Sequence, residues 1–261
     1  MSSDDFLNER WLKKLDRQGQ ELAARIGVDR KTFGEVFDTK TLLRLGKLIS
    51  NNIIEQVDFP ISTGKEANVF RAVTPEKKFV ALKIYRTSTL TFKHIQRYID
   101  GDPRFKHLGR SHQEIINEWA KKEFKNLHRL HQAHVLAPKP IKRLHNIVIM
   151  DYLGNETEAA PMLKDVTLSN PKKIFQIILM YITRMYNADL VHADLSAYNI
   201  LMFQDKPYLI DVGQSVVLEH PSAYEFLQRD IHNIVSFFKK YGIIADEKKI
   251  YEQLVGKEKT T

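Results

Sequence analysis

The sequence of 261 residues contains no cysteine. This absence excludes disulfide bonds, thiolate metal sites and a cysteine nucleophile, and it favours an intracellular location. Long hydrophobic runs are also missing: the longest, Ile174 to Ile182, is interrupted by Gln176 and is too short to cross a bilayer of roughly 30 Å. The first residues include Asp4 and Asp5 and lack the basic start and apolar run of a secretory signal. We therefore expect a soluble, cytoplasmic protein without a membrane partner.

Acidic residues are fewer than basic ones: the chain has 32 aspartates and glutamates and 40 lysines and arginines. The formal net charge of +8 favours anionic partners, and it does not choose between nucleic acid and nucleotide phosphates. With 43% hydrophobic residues, the chain can bury the core of one large domain or of two lobes.

The clearest chemistry lies in two stretches, His192–Leu201 and Leu209–Gly213. Asp194 precedes Asn199 by five residues, the spacing with which a protein-kinase loop places a hydroxyl-orienting carboxylate and a metal-binding amide. Asp211 ends an apolar strand and is placed to supply a second acidic ligand. Because Mg²⁺ prefers oxygen ligands and keeps several waters, these groups and the phosphates of ATP suffice to bind it. We predict a phosphoryl-transfer centre with Mg²⁺ as its metal and Mn²⁺ as an alternative.

In this hypothesis Asp194 is the catalytic carboxylate, and Asn199 and Asp211 are the metal ligands. The alternative is that Asp194 and Asn199 only cap a turn by hydrogen bonding to their own backbone. Asp211-Val212-Gly213 at a kinase-like distance favours the catalytic interpretation.

Lys83 lies in the apolar segment Val80–Tyr85, where a charged, inward-facing side chain is costly unless a partner neutralises it. In kinases the lysine of the third strand contacts the nucleotide phosphates and pairs with a glutamate of a helix. We expect Lys83 to anchor phosphate and Glu123 to be its partner, in preference to Glu114 and Glu118 of the same predicted helix. The alternative is a lysine that extends to solvent from the edge of a sheet.

Hydrophobic periodicity and turn residues predict helices and short strands in separate regions. Helices are predicted over residues 5–26, 38–50, 111–132, 171–188, 221–242 and 248–255. Strands are predicted over residues 56–61, 68–73, 79–85, 141–145, 147–152 and 207–210. The expected organisation is a helical extension over 1–52, an N-terminal lobe over 53–151 and a C-terminal lobe over 152–261.

Glycine is scarce in the loop between the first two strands, where an ordinary kinase has several. Only Gly64 is present. Gly64-Lys65 is similar to the end of a Walker loop, but Glu66 replaces the serine or threonine that would hold Mg²⁺, and no glycine lies five residues upstream. The sequence therefore argues against a P-loop NTPase.

Four segments together resemble the RIO family of atypical serine/threonine protein kinases, nearest its type-one branch. These segments are Ser62–Val69, His192–Leu201, Ile210–Val216 and His220–Asp230. The resemblance covers about Gln56 to Gly242. It implies an α+β, two-lobed protein-kinase-like fold with a small antiparallel-sheet N-lobe and a reduced, mostly helical C-lobe.

The resemblance also assigns roles by position. It implies a phosphate loop made of Ser62, Thr63, Gly64, Lys65, Glu66, Ala67, Asn68 and Val69. It implies a hinge in which the backbone of Asp151 and Leu153 holds adenine, with Met150 behind it. In this family the metal-site aspartate can itself accept phosphate, which would make Asp211 an aspartyl-phosphate site.

The sequence departs from related patterns at three positions. Gly213 stands where related sequences often have serine, and Ala197 where they often have an acidic residue. Ala193 stands where ordinary kinases carry the arginine that reads a phosphorylated activation loop, so control through such a loop is not expected. The chain after Asp211 is too short for the helices that dock a peptide, and we expect no peptide-docking subdomain.

Two functions of different classes remain open. The chain is either a serine/threonine kinase that phosphorylates itself or a few bound proteins, or an ATPase whose nucleotide state gates binding to a large particle. The resemblance implies a role in maturation of the small ribosomal subunit, with its precursor, RNA or proteins as partners beside ATP. A small-molecule kinase of the aminoglycoside or choline type is less favoured, because such enzymes usually add helices around a large acidic pocket.

Overall fold

The computed structural model describes residues 38–87, 95–105 and 111–256. They form two compact units. The first contains residues 38–87, 111–121 and 140–152, and the second contains residues 95–105, 122–139 and 153–256. The helix predicted over residues 5–26 and most of the extension predicted over 1–52 lie outside the described residues. The lobe boundaries predicted from the sequence stay a prediction.

A five-stranded antiparallel sheet dominates the first unit. Its strands are β1 (Gln56–Thr63), β2 (Ala67–Val73), β3 (Phe79–Tyr85), β4 (Pro140–Leu144) and β5 (Ile147–Asp151). Their spatial order is β1-β2-β3-β5-β4. β1 is irregular around Pro60, whereas β2 and β3 pair without a register shift. The three strands and the hairpin predicted from the sequence are confirmed.

Helix α1 (Thr39–Ser50) covers one face of this sheet. Asp38 caps it, because its carboxylate accepts the Thr41 N–H at 2.7 Å. The helix and the sheet share a cluster of buried hydrophobic side chains. Its members are Leu45, Leu48, Ile54, Phe70, Ala72, Val80, Leu82, Ile84, Ile147 and Ile149.

The opposite face of the sheet carries Lys83. Side chains alternate between the two faces of a strand, so residues paired directly across β2, β3 and β5 share a face. Lys83 pairs with Val69 on one side and Val148 on the other, and Ala81 pairs with Met150. The predicted phosphate anchor and the predicted hinge methionine therefore lie on the same face.

Helices and one hairpin make up most of the second unit. They are the second half of α2 (His112–Gln132), α3 (Pro171–Asn187), the hairpin of β6 (Ile200–Phe203) and β7 (Lys206–Leu209), α4 (Ala223–Phe238) and α5 (Glu247–Val255). The predicted cap of α3 is confirmed, since Asn170 accepts the Lys173 N–H at 3.0 Å and proline stands at the first helical position. Among the described residues, no helix is both long and apolar enough to span a membrane.

Two elements differ from the prediction. Strand β6 follows Asn199 directly and pairs with β7, whereas the sequence predicted no strand there. Its four residues are too few for a periodic signal, and only the pairing with β7 defines it. Helix α4 ends at Phe238, earlier than the predicted 242, and a 3₁₀ turn at Lys239–Tyr241 leads to Gly242 with φ +73°.

Candidate active site

Asp194 and Asn199 lie in one loop and contact each other. The Asn199 Nδ2 donates to the Asp194 backbone oxygen at 2.7 Å and to its carboxylate Oδ2 at 3.1 Å. The Asn199 N–H donates to Ser196 O at 3.0 Å, which closes the turn between them. The carboxylate and the amide that the sequence paired by spacing are therefore held together in the folded loop.

Asp211 follows β7 and belongs to the same unit. The Ile210 N–H donates to the Asn199 backbone oxygen at 3.0 Å, which joins this segment to the loop. Asp211 has φ +58°, a left-handed conformation that is strained for a residue with a side chain. Burial, and then the negative charge of Asp211, raise the pKa of Asp194. The two carboxylates are thus close enough to repel each other.

Asp230 of α4 anchors the backbone on both sides of Asp194. Its Oδ2 accepts the Ala193 N–H at 2.9 Å, and its Oδ1 accepts the Leu195 N–H at 2.8 Å. The carboxyl group is completely buried, and this burial raises the pKa of Asp230 to about 8. A single side chain therefore fixes the two peptide groups that flank the predicted catalytic residue.

Two neighbours of Asp230 on α4 bind the carbonyl groups of the same loop. Arg229 donates to the Ala193 oxygen, and the Asn233 Nδ2 donates to the Leu195 oxygen at 3.0 Å. Ala193 has φ +67°, a conformation that costs about 1–2 kcal/mol for a residue other than glycine. These bonds hold the loop in that conformation, and they position Asp194 without touching it.

The predicted phosphate loop is a tight turn between β1 and β2. The Gly64 N–H donates to the Ala67 oxygen at 3.0 Å, and a Cβ added at Gly64 would lie 3.0 Å from that same oxygen. The Arg86 N–H donates to the Glu66 oxygen at 2.9 Å and ties the turn to the end of β3. Ser62, Thr63 and Lys65 are exposed, while Glu66, Ala67 and Val69 are half-buried.

Asn68 lies on the face of the sheet that α1 covers, since it pairs with Ile84 of the buried cluster. Its side chain is fully buried, and its Oδ1 accepts from Arg86 Nη2 at 3.3 Å. Val69, the next residue, lies on the face that carries Lys83. On the face that carries Lys83, Asn68 could therefore make contacts only through its backbone.

The remaining predicted residues are largely buried. Lys83 is 7% exposed in the first unit, and Glu123 of α2 is 1% exposed in the second. Their pairing stays a prediction. Met150 is buried, and Asp151 is exposed at the end of β5. The Leu153 oxygen already accepts the Ala160 N–H at 2.9 Å, so its N–H is the group to consider for adenine.

Sequence reasoning missed the positioning role of Asp230. This residue was part of a segment that carried the family resemblance, but no function was assigned to it. A signal was present: Asp230 lies at helical spacing from Phe226, Leu227 and Ile234, all of which are buried. A polar, ionisable residue on the apolar stripe of a helix needs buried partners, which are here the two peptide N–H groups.

Comparison with known proteins identifies a family that the chain matches over most of its length. The model of the RIO domain family matches residues 68–250. The RIO-type serine/threonine-protein kinase Rio1 of Haloferax volcanii is 38% identical over 258 residues, which cover 98% of this chain and 89% of the relative. The serine/threonine-protein kinase rio1 of Dictyostelium discoideum is 40% identical over 233 residues, covering 87% of this chain and 40% of the relative.

A solved structure has the same fold. It is the complex of Rio2 kinase from Chaetomium thermophilum with ADP/Mg²⁺-phosphoaspartate, with a TM-score of 0.64 and 21% sequence identity. The match covers 83% of this chain and 66% of that chain. The two-lobed, kinase-like α+β fold predicted from the sequence is confirmed.

Proposed function

Because the chain belongs to the RIO domain family, we propose that it is an atypical serine/threonine kinase that transfers the γ-phosphoryl group of ATP to a hydroxyl group in a Mg²⁺-dependent reaction. One observation carries this proposal. The Asp194 carboxylate is hydrogen-bonded to the Asn199 amide within one loop, and burial together with the charge of Asp211 raises the pKa of Asp194. Kinase chemistry needs this combination of two carboxylates and an amide.

The donor set fits a hard divalent cation. The Asn199 Nδ2 donates to Asp194, so the amide oxygen of Asn199, Oδ1, is the atom that can bind the cation. Asp211 offers carboxylate oxygens, and a cation beside it would relieve the repulsion between Asp211 and Asp194. When bound, Mg²⁺ would neutralise charge that develops on the phosphate oxygens. We assign Asn199 and Asp211 as its ligands.

Asp194 is the group proposed to receive the proton of the attacking hydroxyl. The hydroxyl oxygen forms a bond to the γ-phosphorus, the bond from that phosphorus to the ADP oxygen breaks, and the proton passes to the carboxylate. Burial and the charge of Asp211 raise the pKa of Asp194, which makes the carboxylate a better proton acceptor. Asp230 keeps its loop fixed during this transfer.

The residues proposed to bind the nucleotide are those to which the family resemblance assigns this role. Lys83 anchors phosphate and is neutralised in part by Glu123. The turn around Gly64 is the phosphate loop, and its backbone provides N–H groups that bind phosphate. The hinge is proposed to hold adenine through the backbone of Asp151 and Leu153, with Met150 against the base. These assignments follow the family resemblance, position by position.

An ATPase that gates binding to a large particle is the second candidate. The Rio2 complex contains phosphoaspartate, and Asp211 is the residue here that would form it. A carboxylate oxygen of Asp211 would bond to the γ-phosphorus as the bond to the ADP oxygen breaks, and water would then release phosphate. The proposal extends to a cytoplasmic small ribosomal subunit precursor as partner, and the net charge of +8 suits contact with its RNA.

The two candidates differ in where the phosphate goes. The purified chain would be incubated with γ-labelled ATP and Mg²⁺, with and without small ribosomal subunits, and protein-bound label and free phosphate would be measured separately. Stable label on serine or threonine with little free phosphate supports the kinase. Hydroxylamine-sensitive label with subunit-stimulated phosphate release supports the ATPase. Neither label nor phosphate, under conditions where the chain is folded, would refute both.

A further inference from the structure

The backbone that follows Asp211 is held by a side chain from a distant part of the second unit. The Asn126 Nδ2, on α2, donates to the Val212 oxygen at 2.7 Å and to the Ser215 oxygen at 3.4 Å. The Ser215 N–H also donates to the Val212 oxygen at 3.3 Å, so residues 212–215 form a closed turn. Asn126 therefore binds both ends of the turn that begins next to Asp211.

Arg104 completes this arrangement. Its Nη1 donates to the Asn126 Oδ1 at 3.0 Å, which leaves the Asn126 Nδ2 as the donor to the two carbonyl groups. Its Nη2 donates to the Ser215 oxygen at 2.9 Å. Arg104 thus orients Asn126 and binds the same turn directly.

An ionised, buried carboxylate holds Arg104 in place. Asp102 accepts from Arg104 Nε at 2.9 Å and from Nη2 at 2.6 Å, and Lys122 Nζ lies 3.6 Å from its Oδ2. Burial opposes ionisation, but the hydrogen bonds and charges of Arg104 and Lys122 outweigh it and lower the pKa of Asp102. Buried polar networks of this kind fix geometry when their members are satisfied.

Gly101 provides the backbone conformation that precedes Asp102. It has φ +86°, and a Cβ added there would lie 2.7 Å from two ring carbons of Pro221. The segment that carries Asp102 and Arg104 therefore packs against Pro221, in the turn before α4, by a close approach that only glycine permits.

We propose that Asn126 and Arg104 are positioning residues for Asp211, which set its affinity for Mg²⁺ by fixing the backbone of residues 212–215. The inference rests on the proposed function, in which Asp211 is a metal ligand. The left-handed conformation of Asp211 is strained, and it persists only where the neighbouring backbone is held. Asn126 supplies that hold on the C-terminal side of Asp211, through the Val212 oxygen.

The test uses two substitutions that change hydrogen bonding with little change in volume. Asn126→Asp keeps the acceptor for Arg104 but places an oxygen where the Val212 and Ser215 carbonyls need a donor. Arg104→Lys keeps a positive charge near Asp102 but gives up the simultaneous bonds to Asn126 and Ser215. Asn117→Asp, the same change at a half-buried position of α2, is the matched control.

Two readouts that do not depend on turnover decide the outcome. Calorimetric titration of Mg²⁺ into each protein with ADP should show roughly ten-fold or greater loss of Mg²⁺ affinity in Asn126→Asp, a smaller loss in Arg104→Lys and none in Asn117→Asp. Binding of ADP without Mg²⁺ should stay at the wild-type value. Hydrogen exchange of the amides of residues 212–216 should be faster in the two network variants without nucleotide.

Wild-type Mg²⁺ affinity and wild-type exchange in Asn126→Asp would overturn the inference. If Asn126→Asp does not fold, Arg104→Lys decides by the same readouts. Failure of the wild-type chain itself to bind Mg²⁺ with ADP would instead overturn the proposed function, so the two failures are distinguishable.

Discussion

Replacement of Asp230 tests whether the catalytic loop depends on one buried side chain. Asp230→Ala removes the acceptor of the Ala193 N–H and that of the Leu195 N–H, at 2.9 and 2.8 Å. The site is completely buried, so water does not replace the lost carboxylate. Each unsatisfied buried N–H costs about 1–3 kcal/mol, and two cost about 2–6 kcal/mol. The free energy of unfolding of a typical domain is about 5–15 kcal/mol in total, so Asp230→Ala should fold poorly.

Asp230→Asn is the more informative variant. Its amide keeps one acceptor oxygen and sets a donor against the other N–H, so the expected loss of stability is about 1–3 kcal/mol. The chain should fold, but the loop that carries Asp194 should shift. Because a displacement of about 1 Å at a reacting group costs about 10²-fold in rate, we expect turnover per folded molecule to fall by about that factor.

The assay combines urea unfolding with turnover of Mg²⁺-ATP, corrected for the folded fraction. Glu225→Gln, an exposed residue in the first turn of the same helix, is the control and should leave both quantities unchanged. Nucleotide affinity should also be retained in Asp230→Asn, because this residue acts on the loop that carries Asp194. Wild-type stability together with wild-type turnover in Asp230→Asn would refute the reasoning.

Three further predictions concern titration and stability. Burial raises the pKa of Asp230 to about 8, so the native state keeps a proton that the unfolded chain releases above about pH 4. The free energy of unfolding should therefore fall from about pH 4 to about pH 8. In urea titrations, Asp230→Asn should flatten this decline. In the nucleotide-free protein, Asp211→Asn should lower the pKa of Asp194 measured by carboxyl-carbon NMR, and an unchanged pKa would argue against the charge coupling. Asn146→Ala removes donors to Thr41 Oγ1 and Tyr85 O and should cost about 2–4 kcal/mol in urea unfolding; a loss near zero would contradict the hydrogen-bond geometry.

Local signals predicted much of the fold. The strands at residues 56–63, 67–73 and 79–85 are short runs rich in β-branched or aromatic residues, and Asn170-Pro171 predicts the cap of α3. The contact of Asp194 with Asn199 spans only five residues, so its spacing was visible in the chain. These features depend on neighbours in sequence, which a pattern can show.

The parts that could not be predicted depend on distant contacts. Asp230 reaches Ala193 across 37 residues, and Asn126 reaches Val212 across 86. No periodicity or turn chemistry encodes such a pairing, because it is decided by how separate helices pack. Strand β6 was missed for a different reason: its four residues are too few for a periodic signal, and pairing with the adjacent β7 makes it a strand.

The central claim is that Asp194 organises the chemistry whereas Asp211 binds the metal. The measurement that tests it most directly compares Mg²⁺-ATP binding and turnover in the wild type, Asp194→Ala and Asp211→Ala. We predict that Asp194→Ala binds Mg²⁺-ATP with wild-type affinity and has no turnover, while Asp211→Ala loses affinity as well. Equal affinity for Mg²⁺-ATP in the wild type and Asp211→Ala would contradict the account.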